Sequence, residues 1–323
     1  MIAKSLLLCA ALVLATGTVS ANDRSPIKLV VGYAPGGTAD IMARFYAERL
    51  NSQLKRPVIV ENRPGGGGLI AQRAVAKAKP DGKTFLFAPM SGPLFRELTY
   101  NDKQRGYSML TDYAPVATVS SHSLGMVVPT SLGVNNVQGL VEWIKQNPTQ
   151  ASYGSSTPGS HTHLLGIVFN QAANVKIEVI PYKGNSEVMT AILGSQLPMA
   201  IMAAPDWKAH LGGDRIKVLG TFTQERSTLS PDIPTLAEQG VPAFGGEGWM
   251  GFWAPANIAQ PQLDPVQNAL AELSADPATA EALNNNFSAQ PMFLRGAEMD
   301  KRQRDDLEIW RGVIEAAGFT PDT

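Results

Sequence analysis

A chain of 323 residues exceeds the size at which one hydrophobic core stops growing, about 250–300 residues, so two lobes are expected. At 44% hydrophobic and 17% charged it has ample material for burial, which excludes a disordered chain, and a net charge of -1 excludes nucleic-acid binding driven by bulk electrostatics. A single Cys excludes an internal disulfide framework and a thiolate metal cage.

The first residues read as a secretory signal. Lys4 supplies the positive start, Ser5 to Ala15 the apolar stretch, and Val19-Ser20-Ala21 the short side chains before a cut after Ala21. Residues 1–21 are expected to be removed, and Cys9 with them. The apolar run is shorter than the roughly 20 residues that span a bilayer, and no later stretch is long enough. The expectation is a soluble protein exported to the periplasm.

Strands and helices then alternate. Ile27 to Tyr33 is a β-branched apolar run, a buried strand. A Gly-containing turn leads into a helix from Ala39 to Gln53, with Ile41, Met42, Phe45 and Leu50 as its apolar stripe. Pro57 to Glu61 is a strand, Gly65 to Gly68 a tight turn into a helix reaching Lys79, and Thr84 to Ala88 a third strand. This rhythm predicts a parallel, doubly wound sheet. Val116 to Val128 is extended, with a polar interruption at Ser120 to Ser123. The rhythm then repeats. Helices are expected over Val137–Gln146, Ser160–Ala173 and Ser186–Leu193, and strands over Ala151–Gly154, Ile177–Tyr182, Met199–Ala203 and Ile216–Thr221. Leu229 to Gly246 reads as a surface connection. Trp249 to Ala254 is one more strand, whose Trp249, Phe252 and Trp253 are core residues. Three helices follow near 264–274, 277–286 and 297–317, the last with a charged, solvated face over Lys301 to Asp306. Such a tail packs back on the first lobe. Lobe one is therefore expected to be discontinuous, 26–122 with 246–323, and lobe two to be 123–245.

Two turns carry the functional signal. Tyr33-Ala34-Pro35-Gly36-Gly37-Thr38-Ala39-Asp40 lies between a strand and a helix, with Thr38 as a candidate cap. Ser155-Ser156-Thr157-Pro158-Gly159-Ser160-His161-Thr162 does the same in the other lobe, with Ser160 as its cap. A helix N-terminus presents unpaired N–H groups and a positive dipole end, which suit an anion. Either turn alone reads as an ordinary connection. Together, in two lobes that face one cleft, they read as a grip on a carboxylate. Neither matches a nucleotide-binding fingerprint. His161 and His163 stand two apart, which on a helix places them on different faces and makes a shared metal unfavourable. His161 is a candidate ligand contact and His163 a core residue. The Ser-rich turn lacks the G-x-S-x-G of a nucleophile elbow. Asp40 either caps its helix or meets the ligand, and Lys183 is either a cation facing the cleft or a solvated turn residue.

The segments IKLVVGYAPGGTADIMAR, RPVIVENRPGGGG, KPDGKTFLFAP, DYAPVATV, SYGSSTPGSHTHLLG, IPYKG, LSPDIPTLAEQGVP and GFWAPA resemble the Bug family of periplasmic solute-binding proteins, receptors of tripartite tricarboxylate transporters. The resemblance covers almost the whole chain after the signal. It implies a two-lobed α/β fold of the Venus-flytrap type II class, each lobe a doubly wound sheet. It also implies a carboxylate gripped between the two turns. Carried over by position, the contacts in lobe one are Tyr33, Gly37, Thr38, Ala39, Asp40 and Ser91. Those in lobe two are Ser156, Thr157, Gly159, Ser160, His161 and Thr162. Three departures stand out. The family's acidic or amide pair is replaced by Met202 and Ala203 at the edge of the site, His161 stands where a small hydroxyl residue is usual, and Tyr100 to Thr111 is atypical. Loss of the polar pair points to a less polar ligand body, an aromatic one included.

The function expected from these features is a non-enzymatic, monomeric periplasmic receptor for a small mono- or dicarboxylate, without cofactor, metal or nucleic acid. It would close about hinges near Ser120–Ser123 and Gly245–Gly248 and hand its ligand to the membrane subunits of a tripartite tricarboxylate-type transporter. The rival readings are a secreted hydrolase that uses Ser156 or His161, and a sensor subunit that reports ligand to a membrane signalling system.

Overall fold

The computed structural model describes residues 25–155, 159–182, 184–242 and 244–316. The expected signal, Ser156, Thr157 and Lys183 lie outside the described residues. The element order begins β1 (Ile27–Val31), α1 (Thr38–Leu54), β2 (Val58–Asn62), α2 (Leu69–Ala76), β3 (Thr84–Pro89), α3 (Pro93–Thr99), α4 (Asp102–Arg105) and β4 (Tyr113–Pro129). It continues α5 (Val137–Gln146), β5 (Ser152–Ser155), α6 (His161–Ala173), β6 (Glu178–Pro181), α7 (Asn185–Leu193), β7 (Met199–Ala203), α8 (Ala204–Trp207) and β8 (Ile216–Thr221). It ends β9 (Glu247–Pro255), α9 (Gln260–Ala275), α10 (Pro277–Phe287), β10 (Gln290–Pro291) and α11 (Ala297–Ala316).

The strands run in the order β2-β1-β3-β9-β4-β7-β5-β6, with β10 and β8 also paired to β4. β1 pairs in parallel with β2 and β3, and β5 in parallel with β6 and β7. Each lobe thus has a central strand from which the chain leaves to one side, returns, and then adds a strand on the other side. These are topological switch points, and in open α/β sheets ligands gather at the carboxyl ends of such strands. The two turns singled out above follow β1 and β5.

β4 joins the lobes. Its first part pairs with β9 and β10, its second with β7 and β8, all antiparallel. The polar residues expected to interrupt it do not. Ser120, Ser121 and Ser123 are buried within one unbroken strand. Where the chain crosses, Leu124 N–H donates to Gly246 O at 2.7 Å, Phe222 N–H to Leu124 O at 3.0 Å, and Gly246 N–H to Phe222 O at 3.1 Å.

The apolar pattern explains the packing. Leu29 and Val31 of β1 point to one side of the sheet and pack with Met42, Tyr46 and Leu50 of α1 and with Leu270 of α9. Ile41, expected in that stripe, is half exposed, and Tyr46 takes its place. On the other side Trp249, Trp253 and Trp310 join Phe95 and Leu164 in a core that continues into lobe two. The tail packs through α9 against α1 and through α11 against α3 and α6. Two expectations change. Asp306, read as solvated, is buried and accepts the Trp249 indole hydrogen at 2.9 Å. Within the 229–246 connection, Thr235 and Leu236 are fully buried, and Leu236 N–H donates to Thr221 O at 2.8 Å. Among the described residues, no helix is long and apolar enough to cross a membrane.

Candidate functional site

The first turn begins at the end of β1. Gly36 has φ +85°, a left-handed conformation that favours glycine. Gly37, not Thr38, is the N-cap of α1, and its cap lacks a side-chain hydrogen bond; Thr38 is the first helical residue. Asp40 supplies the missing brace. Its Oδ2 accepts from Gly36 N–H at 2.9 Å and from Arg44 Nε at 3.0 Å, and its Oδ1 accepts from Asn62 Nδ2 at 2.8 Å. Burial pushes the carboxyl up, but the hydrogen bonds from Arg44, Gly36 and Asn62 outweigh it and hold the group below its ordinary value. Asp40 is thus turned back into the loop.

The second turn ends in α6, whose N-cap Ser160 accepts from His163 N–H at 3.4 Å. The hydroxyls of Ser155, Ser160 and Thr162 form a triangle of 3.0, 3.0 and 3.1 Å. Gly159 N–H donates to His163 Nδ1 at 2.9 Å, so that nitrogen carries no proton. Tyr153 OH donates to His163 O at 2.9 Å, under a helix that comes very close: a Cβ on Gly166 would lie 2.1 Å from the tyrosine ring.

Both turns open into one cavity of about 460 Å³, within the range of roughly 300–1,000 Å³ usual for small-molecule sites. Of the sequence-predicted residues, Tyr33, Gly37, Thr38, Ala39, Ser91, Gly159, Ser160, His161, Thr162 and Ala203 line it. Asp40 and Met202 are not in the lining. Asp40 is occupied as described, and Met202 is buried in the lobe-two core because alternate residues of β7 face opposite sides.

His161 reaches across the lobes. Its ring stands edge-on between Phe95 of α3, at 5.3 Å, and Trp310 of α11, at 5.2 Å. Its Nε2 meets Gly245 O; a carbonyl only accepts, so Nε2 bears the hydrogen. Burial lowers its pKa to about 4, and so the ring is neutral at pH 7. His122 on β4 also lines the cavity, is lowered to about 4 by burial, and has a buried Nδ1 with no partner among the described residues. Among the described residues no three His, Cys, Asp or Glu come together as a metal site.

Sequence reasoning missed several lining groups. Phe95, Arg96, Thr99 and Tyr100 come from the 90–112 segment, which shows no clear periodicity because α3 and α4 are only seven and four residues long. Asn185 and Asp206, at the starts of α7 and α8, put polar groups on the lobe-two wall that Met202 and Ala203 lack. Asn185 Nδ2 donates to Asp206 Oδ2 at 2.7 Å, while burial raises the Asp206 carboxyl to about 6. Their signal was positional: each lies in the first turn of a helix in lobe two.

A family model described as the tripartite tricarboxylate transporter family receptor matches residues 42–319. The chain belongs to that family. The protein BugT of Bordetella pertussis (strain Tohama I) is 31% identical over 296 residues, covering 91% of this chain and 89% of BugT. Among solved structures, Rpa4515 of R. palustris with adipate superposes with a TM-score of 0.85 at 28% identity, over 92% of this chain and 98% of that one. The periplasmic binding protein BugD gives a TM-score of 0.82 at 27% identity, over 92% and 99%. As a tripartite tricarboxylate transporter receptor, the chain has the two-lobed fold of the periplasmic binding proteins and belongs with solute-binding receptors, not with enzymes.

Proposed function

We propose that this receptor captures a small organic mono- or dicarboxylate between its lobes, in the periplasm after loss of residues 1–21, and presents it to the membrane subunits of a tripartite tricarboxylate-type transporter. One observation carries the reading: two helix N-termini, each following the switch-point strand of its own lobe, open into a single cavity. The dipole ends of α1 and α6 favour negative charge there. The adipate-bound relative, at 28% identity, supports a carboxylate as the ligand class. In this reading lobe one is 26–122 with 246–323 and lobe two is 123–245. Backbone N–H groups at Gly37, Thr38 and Ala39 act with the hydroxyls of Ser160 and Thr162, and Ser156 and Thr157 belong to the same grip.

Calorimetric titration with a panel of mono- and dicarboxylates, adipate included, is the test. At least one should bind the wild type. Gly37→Val combined with Ser160→Ala should weaken it at least tenfold without unfolding the protein. A panel with no binder sinks the ligand class, and unchanged binding in the double variant sinks the site.

A further inference from the structure

Arg96 lies on α3, lines the cavity, and is only 7% exposed. Its Nη1 donates to Gly92 O at 3.1 Å and its Nη2 to Gly66 O. Its Nε is buried and has no hydrogen-bond partner among the described residues. Carbonyl oxygens orient the guanidinium without neutralising it, and among the described residues no carboxylate pairs with it. Arg105, nine positions on, shows the usual arrangement. It is equally buried, but Glu97 stands at 3.2 Å and Asp102 at 2.7 Å. Buried charges are ordinarily paired, since an uncompensated one forfeits its hydration for nothing. A cation on the wall of a binding cavity, with no carboxylate beside it among the described residues and only two of its five N–H groups engaged, fits an anion that arrives from outside.

We infer that Arg96 is the charge-selecting residue of the cleft: the two turns together grip one carboxylate of the solute, and Arg96 pairs with a second. This rests on the carboxylate reading above. It makes the net charge of the ligand, and not only its length, a condition of tight binding, because a guanidinium rewards a carboxylate far more than a neutral acceptor. The competing partner is Asp206, on the lobe-two wall of the same cavity, which would meet Arg96 as an internal ion pair on closure.

The test compares adipate with monomethyl adipate, which keeps the six-carbon chain, caps one end with a methyl group and removes one charge, on wild type, Arg96→Gln and Arg96→Lys by calorimetry. The wild type should prefer adipate at least tenfold. Arg96→Gln should erase that preference while leaving monomethyl adipate nearly unaffected, and Arg96→Lys should restore part of it. Equal loss for both probes in Arg96→Gln assigns Arg96 to cavity shape or to Asp206 and overturns the inference. A wild type that does not discriminate overturns it while leaving the carboxylate reading intact. Binding of neither probe, nor of any carboxylate in the panel, removes that reading and the inference with it. Should Arg96→Gln fail to fold, the Nε–H resonance of Arg96 in the wild-type protein decides. It must move with adipate and stay still with monomethyl adipate; any other pattern counts against the inference.

Discussion

The turn after β1 is held by a charge, and the turn after β5 by neutral groups. In the first, the Asp40 carboxylate gathers Gly36, Arg44 and Asn62 around one buried anion. In the second, three hydroxyls and the His163 imidazole do the bracing. Both bring a helix N-terminus to the cavity, yet they differ in packing. Gly36 has open space where a side chain would begin, whereas Gly166 lies against Tyr153. One turn is a loose loop pinned by electrostatics, the other a close-packed corner.

Four experiments break or sharpen that contrast. Gly166→Ala drives a methyl into Tyr153 and should cost about 3 kcal/mol by overpacking, read as a lower urea midpoint with the slope unchanged.

Acidification should undo the neutral corner before the charged loop. The folded value of His161 near 4 is depressed from 6.5, so the unfolded chain takes up that proton first. Its contribution is complete above pH 6.5 and is lost as pH falls to about 4, amounting to about 3 kcal/mol at roughly 1.4 kcal/mol per pKa unit. Asp40, depressed from 3.8, holds its contribution above that value and loses it only as pH falls further. Trp310 touches His161, so tryptophan fluorescence should be quenched with a midpoint near pH 4 in the wild type and not in His161→Phe. A transition that survives in that variant counts against the assignment.

Asp40→Ala comes next, at about 2 kcal/mol, since it removes three hydrogen bonds to a buried carboxylate, one of them from the half-buried Asn62 and two from the exposed Gly36 and Arg44. It should raise exchange at the Gly36 amide and leave the second turn unaffected. Ser160→Ala is the mildest, at about 1 kcal/mol for a lost helix cap. An effect of Ser160→Ala as large as that of Asp40→Ala would mean that the hydroxyl triangle is as stiff as the charge network.

The two turns were legible because their signals are local. Glycine with a helix start after an apolar strand, and Ser160 three residues before the N–H it caps, are features of consecutive residues. The residues that escaped depend on contacts far along the chain. Arg96 takes its meaning from the carbonyl of Gly66, thirty positions away. Asp306 sits among charges spaced for a solvated helix face, and only Trp249, fifty-seven positions away, reveals that it is buried. The serines of β4 look like a break, but Ser120 and Ser121 find partners in Met42 and Gln290 and the strand continues through them.

The crossing of the lobes has a mechanical consequence. Leu124, Phe222 and Gly246 form a ring of three backbone hydrogen bonds, each residue giving to one neighbour and taking from the other. We propose that this ring serves as a swivel where the chain crosses between the lobes. On that proposal, closure of the cleft would change the angle about one point while those three amides keep their partners. In deuterium they should exchange as slowly in the empty protein as in the filled one, a still centre against which movement at the cleft rim can be timed.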